Sequence, residues 1–89
     1  MSDWKVYVLR CSDNSLYTGI TNDLNRRLDE HNNNNRRASA YTRARRPVSV
    51  VYQESYLNRS SASVREAAIK KMTKAEKESL IKENLIKEV

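Results

Sequence analysis

The sequence predicts an α/β domain of the α+β kind, a small three-stranded antiparallel sheet flanked by helices, and three observations carry that reading. Two aromatic and β-branched runs, Trp4 to Cys11 and Leu16 to Ile20, are separated by the turn residues Ser12-Asp13-Asn14-Ser15, which is the pattern of a β-hairpin. A third run, Val48 to Tyr52 with room to continue to Tyr56, has strand composition. Between and after these runs, apolar residues recur at helical spacing behind cap-forming residues. At 89 residues the chain is long enough for one domain, residues 1–89, and too short for two.

Within the hairpin, parity decides what shares a face. An even loop pairing Cys11 with Leu16 sends Tyr7 and Tyr17 to opposite faces. An odd loop or a bulge, with paired residue numbers summing to 28, puts both tyrosines on one face. If the two serve one site, the odd register is required. Thr21 or Asn22 is then placed to cap a helix from about Asp23 to Asn33, with Asp23 at its positive end. Leu24 and Leu28 make the inward stripe of that helix, and Arg27 and His31, at i and i+4, flank it at the edge of the core. The polar tract Asn32 to Asn35 ends it. A short helix from Ser39 to Arg45 is stopped by Pro47, and Ser60 caps a helix to about Met72. Thr73-Lys74-Ala75-Glu76 has the capping-box pattern, so a last helix runs to about Glu88 with Leu80, Ile81 and Leu85 as its narrow stripe.

Charge narrows the partners. The net charge is +6, and the window from His31 to Gln53 contributes +5 of it through Arg36, Arg37, Arg43, Arg45 and Arg46 without one acid. Arginine's planar fork suits phosphate, so nucleic acid is the first partner to consider. The plainer alternative is a solvated basic loop that keeps the protein soluble. No apolar run approaches the roughly 20 residues that span a bilayer, which points away from a membrane. Met1 to Lys5 carries an early acid and has no signal-peptide core. The single Cys11 excludes an internal disulfide, and the simplest location is intracellular, in the cytoplasm.

Gly19 is the only glycine, where average usage of about 7% would supply roughly six. A chain that keeps one glycine keeps it for positive φ or for a close approach of backbone or ligand. With Tyr7, Tyr17, Arg27 and His31 it makes a plausible site for phosphate chemistry.

On these residues the chain resembles the GIY-YIG nuclease family. Val6-Tyr7-Val8 followed by Tyr17-Thr18-Gly19, then Arg27 and His31, carries the likeness. It continues through Tyr41-Thr42-Arg43, Arg45-Arg46-Pro47 and Arg65 to Lys70, covering nearly the whole chain. Val6 stands where the first triplet has glycine, and the loop after His31 is longer than usual and lacks the common Gly-Lys-Gly. The resemblance implies a GIY-YIG-like fold and metal-dependent hydrolysis of DNA phosphodiesters, with a place in DNA repair or recombination. It implies that Tyr7 assists removal of a proton from the attacking water, while Tyr17 positions Tyr7, the water or the phosphate. Arg27 would stabilise charge on the scissile phosphate, and His31 would relay a proton or touch phosphate. Glu66 would hold a single Mg²⁺ or Mn²⁺, an ion that keeps several waters and takes few protein ligands. Gly19, Arg36, Arg37, Tyr41, Arg43, Arg45 and Arg46 make the nucleic-acid-binding set.

Each residue also has a plainer reading. Tyr7 is then a half-buried sheet residue, Arg27 a solvated cation beside Arg26, and His31 a base stabilised at a helix C-terminus. Glu66 is then an exposed carboxylate paired with Lys70 at i, i+4. A nucleic-acid-binding module with little catalysis, and a nuclease subunit needing a partner protein for extra binding surface, are the competing functions.

Overall fold

The computed structural model describes residues 3–87, with side chains described as far as Asn84. Strands β1 (Trp4–Arg10), β2 (Leu16–Thr21) and β3 (Ser49–Tyr56) form one sheet in the order β2-β1-β3, both pairs antiparallel. Helices α1 (Leu24–Asn33) and α2 (Ala40–Arg43) connect β2 to β3, and α3 (Arg59–Lys70) and α4 (Lys74–Lys87) follow. The expected helix end at Glu88 and the Leu85 side chain lie outside the described residues.

Alternation along β1 divides the core in two. Val6 and Val8 face one way and pack with Tyr52, Ala62 and Ile69 of α3, and Ile81 of α4. Tyr7 and Leu9 face the other way and pack with Cys11, Val48, and Leu24 and Leu28 of α1. The central strand is thus covered on both faces, which is why four of its seven residues in succession, Val6 to Leu9, are buried.

The hairpin has the odd parity that puts the tyrosines together, but its register differs from the expected one by two. Tyr7 pairs with Gly19 and Leu9 with Tyr17, so paired numbers sum to 26, not 28. The turn decides this. Cys11 N–H donates to Ser15 O at 2.9 Å, leaving Ser12, Asp13 and Asn14 as the loop. Asn14 takes the left-handed position at φ 70, a place asparagine tolerates. Asp13 Oδ1 then accepts from Ser15 N–H at 3.0 Å. The pairing of β1 with β3 slips between Val8 and Leu9, where Val51 is the extra residue of a bulge.

Two caps also differ from expectation. Asp23, not Thr21 or Asn22, caps α1, its Oδ1 accepting from Arg26 N–H at 3.1 Å. Thr21 instead holds Asp23, accepting from its N–H at 3.0 Å. Asn58, not Ser60, caps α3 by accepting from Ser61 N–H at 2.8 Å. The capping box of α4 is present: Thr73 Oγ1 accepts from Glu76 N–H and Glu76 Oε1 from Thr73 N–H. A bidentate pair, Arg10 Nη1 and Nη2 to Glu78 at 2.8 and 2.6 Å, ties α4 to the end of β1.

Candidate active site

The site grows from the face of β1 that meets α1. Tyr7 lies across Gly19 on the neighbouring strand, and a β-carbon at Gly19 would stand 2.5 Å from the Tyr7 hydroxyl and 2.7 Å from Cζ. The chain keeps its one glycine because the Tyr7 ring fills the space; φ there is not positive. The Tyr7 Oη is 2.9 Å from His31 Nε2. Burial pushes the Tyr7 phenol up to about 12, helped by the Tyr17 phenol, while the Arg27 guanidinium pulls against both and Glu66 adds to them.

His31 is fully buried, not at the edge of the core as its flanking position predicted. The short helix α2 is the reason: it closes over the end of α1 and supplies Thr42, also fully buried, whose Oγ1 lies 2.7 Å from His31 Nδ1. Ser39 caps α2, accepting from Thr42 N–H at 3.1 Å, and lies 2.8 Å from Thr42 Oγ1 through its own hydroxyl. Burial pushes the His31 imidazole down to about 4, with Arg27 adding, Glu30 opposing and Arg46 adding again. At neutral pH the pair is therefore a phenol and a neutral imidazole.

Arg27 stays half-buried beside them. Its Nη1 donates to Glu30 Oε1 at 3.0 Å and to the Arg37 carbonyl at 2.7 Å. The loop that carries Arg37 is itself tied by Asn34, whose Oδ1 accepts from the N–H groups of Arg36 and Arg37 at 3.0 Å each. Both bonds of the guanidinium use Nη1; among the described residues its Nε and Nη2 donate to no carbonyl or carboxylate, and the guanidinium also acts on the Tyr7 hydroxyl. Tyr17 stands edge-on to His31 with centroids 5.2 Å apart and stacks on Tyr41 at 6.0 Å. The Arg45 guanidinium sits 3.9 Å from the Tyr41 ring centre and donates to Asp13 at 3.1 Å.

Glu66 comes from the opposite layer. It shares a helical stripe with the buried Ala62 and Ile69, so α3 carries it against the sheet, and its side chain is 22% exposed, less than the plainer reading of an exposed carboxylate had it, while the Lys70 pair of that reading is present. It pairs with Lys70 at 3.2 Å and acts on Tyr7 through charge, without a hydrogen bond to it. Among the described residues no three histidine, cysteine or acidic side chains gather as a metal cage. Glu66 offers one carboxylate, the kind of ligand that Mg²⁺ would supplement with water and phosphate oxygens.

The basic set divides. Arg46 donates through Nε to the His31 carbonyl at 2.7 Å and through Nη1 to Asn35 at 2.8 Å, and Arg43 donates to the Asn35 carbonyl at 2.8 Å. With Arg45 on Tyr41, these three hold the α1–α2 region together. Arg36 and Arg37 are exposed; among the described residues Arg36 meets no acid and Arg37 only Glu30, at 4.0 Å. No sequence pattern marks Thr42, Ser39 or Glu30 as part of a site. Thr42 stands inside Tyr41-Thr42-Arg43 with only its spacing from the cap-forming Ser39 to mark it.

Comparison with known proteins bears on the family and the fold. Residues 3–79 match the GIY-YIG catalytic domain. A UPF0213 protein of Desulfotalea psychrophila is 49% identical over 79 residues, covering 89% of this chain and 71% of that one. A UPF0213 protein of Staphylococcus aureus strain Mu3 is 49% identical over 78 residues, covering 88% and 93%. The solution NMR structure of a UPF0213 protein from Bacillus halodurans, 33% identical, superposes with a TM-score of 0.57 over 89% of this chain and 82% of that one.

Proposed function

The chain belongs to the GIY-YIG family, a family of nucleases, and from that premise we propose that it is a divalent-metal-dependent endonuclease that hydrolyses DNA phosphodiester bonds. One observation carries the reading: a tyrosine hydroxyl on the middle strand, bonded to a buried neutral histidine and flanked by an arginine whose Nε and Nη2 donate to no carbonyl or carboxylate among the described residues. The phenol keeps its proton at neutral pH and His31 Nε2 keeps its lone pair, so the resting site holds one transferable proton with an acceptor already aligned. As water attacks phosphorus, Tyr7 Oη takes the water's proton and gives its own to Nε2. Arg27 binds the phosphate oxygens through Nε and Nη2 and offsets the charge that grows on them. Tyr17, edge-on to His31, keeps the imidazole in line with Tyr7.

Glu66 is the residue that would hold a single Mg²⁺ or Mn²⁺ ion; bound there, the ion supplies positive charge to the departing oxygen. Arg36 and Arg37 would dock the backbone of the nucleic acid, and repair or recombination of DNA inside the cell is the setting we assign. Residues 1–89 would act as one domain. A binding module with little catalysis is the second reading, favoured by the exposed cations Arg36 and Arg37. Of the five arginines in the basic window, Arg36 and Arg37 alone are exposed without a side-chain hydrogen bond among the described residues, so a partner protein that adds binding surface fits either reading.

Metal-dependent turnover and metal-free DNA binding, measured for the parent, Glu66→Gln and Arg27→Ala, test the proposal. Glu66→Gln should cut at least roughly 100-fold more slowly while binding as tightly as the parent or slightly tighter. Arg27→Ala should lose roughly 100- to 1,000-fold in turnover and also bind phosphate more weakly. A parent that binds but cuts nothing with any metal leaves the binding module. Turnover by Glu66→Gln at the parent's rate overturns the role of Glu66.

A further inference from the structure

The hydroxyls and ring nitrogens around His31 can be satisfied in only one direction. The Tyr7 hydroxyl is buried, and its one hydrogen-bond partner among the described residues is His31 Nε2. Of the other groups that act on it, Arg27 has only donors, and neither Tyr17 nor Glu66 is within hydrogen-bond distance of it. A buried phenol O–H takes an acceptor, so Nε2 must be the accepting nitrogen. A neutral imidazole then carries its proton on Nδ1, 2.7 Å from Thr42 Oγ1. Thr42 Oγ1 accepts that bond and turns its own O–H toward Ser39, whose Oγ is 2.8 Å away and whose carbonyl is 3.3 Å away. The opposite tautomer would set Nε2–H against Tyr7 Oη and leave the phenol's proton without an acceptor inside the fold.

We propose that Thr42, held by Ser39, is a positioning residue that fixes His31 as its Nδ1–H tautomer and so keeps Nε2 open to the proton of Tyr7. The catalytic consequence rests on the reading of Tyr7 as the base; the tautomer does not. Thr42 touches neither water nor phosphate in this scheme. Its hydroxyl acts only through the histidine.

His31 is the only histidine in the chain, so the imidazole nitrogen signals of nitrogen-15-labelled protein belong to one ring. The parent at neutral pH should show a pyrrole-like Nδ1 and a pyridine-like Nε2. Thr42→Val keeps the branched shape and removes the acceptor, and should lose this single tautomer; Thr42→Ser should restore it. In DNA cleavage, Thr42→Val should lower kcat roughly 10- to 100-fold at unchanged KM, with rescue by Thr42→Ser. A parent with its proton on Nε2, or a Thr42→Val protein with the parent's pure Nδ1–H signals, overturns the proposal. If Thr42→Val does not fold, Thr42→Ala replaces it, and the parent spectrum still decides. If the tautomer behaves as described but no protein cuts DNA, the positioning by Thr42 stands and the nuclease reading falls.

Discussion

His31 is neutral because it is buried, with Arg27 and Arg46 pushing its pKa the same way, and that neutrality has a cost in acid. Its pKa is about 4 when folded against an ordinary 6.5, so between those values the unfolded chain binds the extra proton. Stability from this residue is therefore complete above pH 6.5, falls as pH drops from there to about 4, and is level below. The loss is on the order of 3 kcal/mol. Glu54 and Glu78, whose carboxyls are held below their usual range, begin to lose their contribution at the acid end of that span and lose the rest below it. Denaturant midpoints from pH 7 to 4 should show His31→Gln with a flatter slope than the parent between pH 6.5 and 5; equal slopes would mean that His31 is not buried neutral. The i, i+4 spacing of Arg27 and His31 was legible in the sequence. The depth of His31 was not, because a stripe on one helix says nothing of a second helix closing over its end. Thr42 is hidden in the sequence for the same reason: its partner is 11 residues away and its burial depends on α2 folding back.

At the scale of elements, the strands and helices follow local patterns, and the departures come where several residues compete for one role. Tyr7 and Tyr17 share a face as odd parity requires, yet the register is set by Asn14 taking the left-handed position, a choice among turn residues that alternation cannot make. The cap of α3 shows the same ambiguity, since Asn58, Ser60 and Ser61 can all cap. The structure uses Asn58, and Ser61 supplies the N–H it accepts from. Asn58→Ala should therefore destabilise the protein by about 1 kcal/mol, and Ser60→Ala by only a few tenths. Thermal or denaturant unfolding of the two variants checks this, and an equal loss from both would place the start of α3 at Ser60. α3 also carries Glu66, whose distance in sequence from the tyrosines hid its electrostatic reach to Tyr7.

The whole molecule sets its basic surface by spending most of its local arginines on structure. In sequence the window from His31 to Gln53 reads as five equivalent cations. In the fold, Arg43 and Arg46 close the loop onto Asn35 and the end of α1, and Arg45 caps the Tyr41 stack and pairs with Asp13. Arg43 is still exposed, and Arg36 and Arg37 are exposed with no side-chain hydrogen bond among the described residues, on the loop whose Arg37 carbonyl also fixes Arg27. Docking of DNA and placement of the phosphate-binding arginine thus share one short segment. Side-chain removal at either position leaves that carbonyl in place. Arg36→Ala and Arg37→Ala should therefore each weaken DNA binding and lower the slope of log K against log salt by about 0.9 for a duplex, with the melting temperature unchanged. Arg46→Ala should instead lower the melting temperature, since it strips the His31 carbonyl and Asn35 of their shared donor, and change the salt slope less. Binding titrations over a salt series, set beside thermal melts of the same three variants, separate the two roles. A salt slope that falls equally in all three, with no change in melting, would show that Arg46 also faces the nucleic acid and that the division drawn from its bonds is wrong.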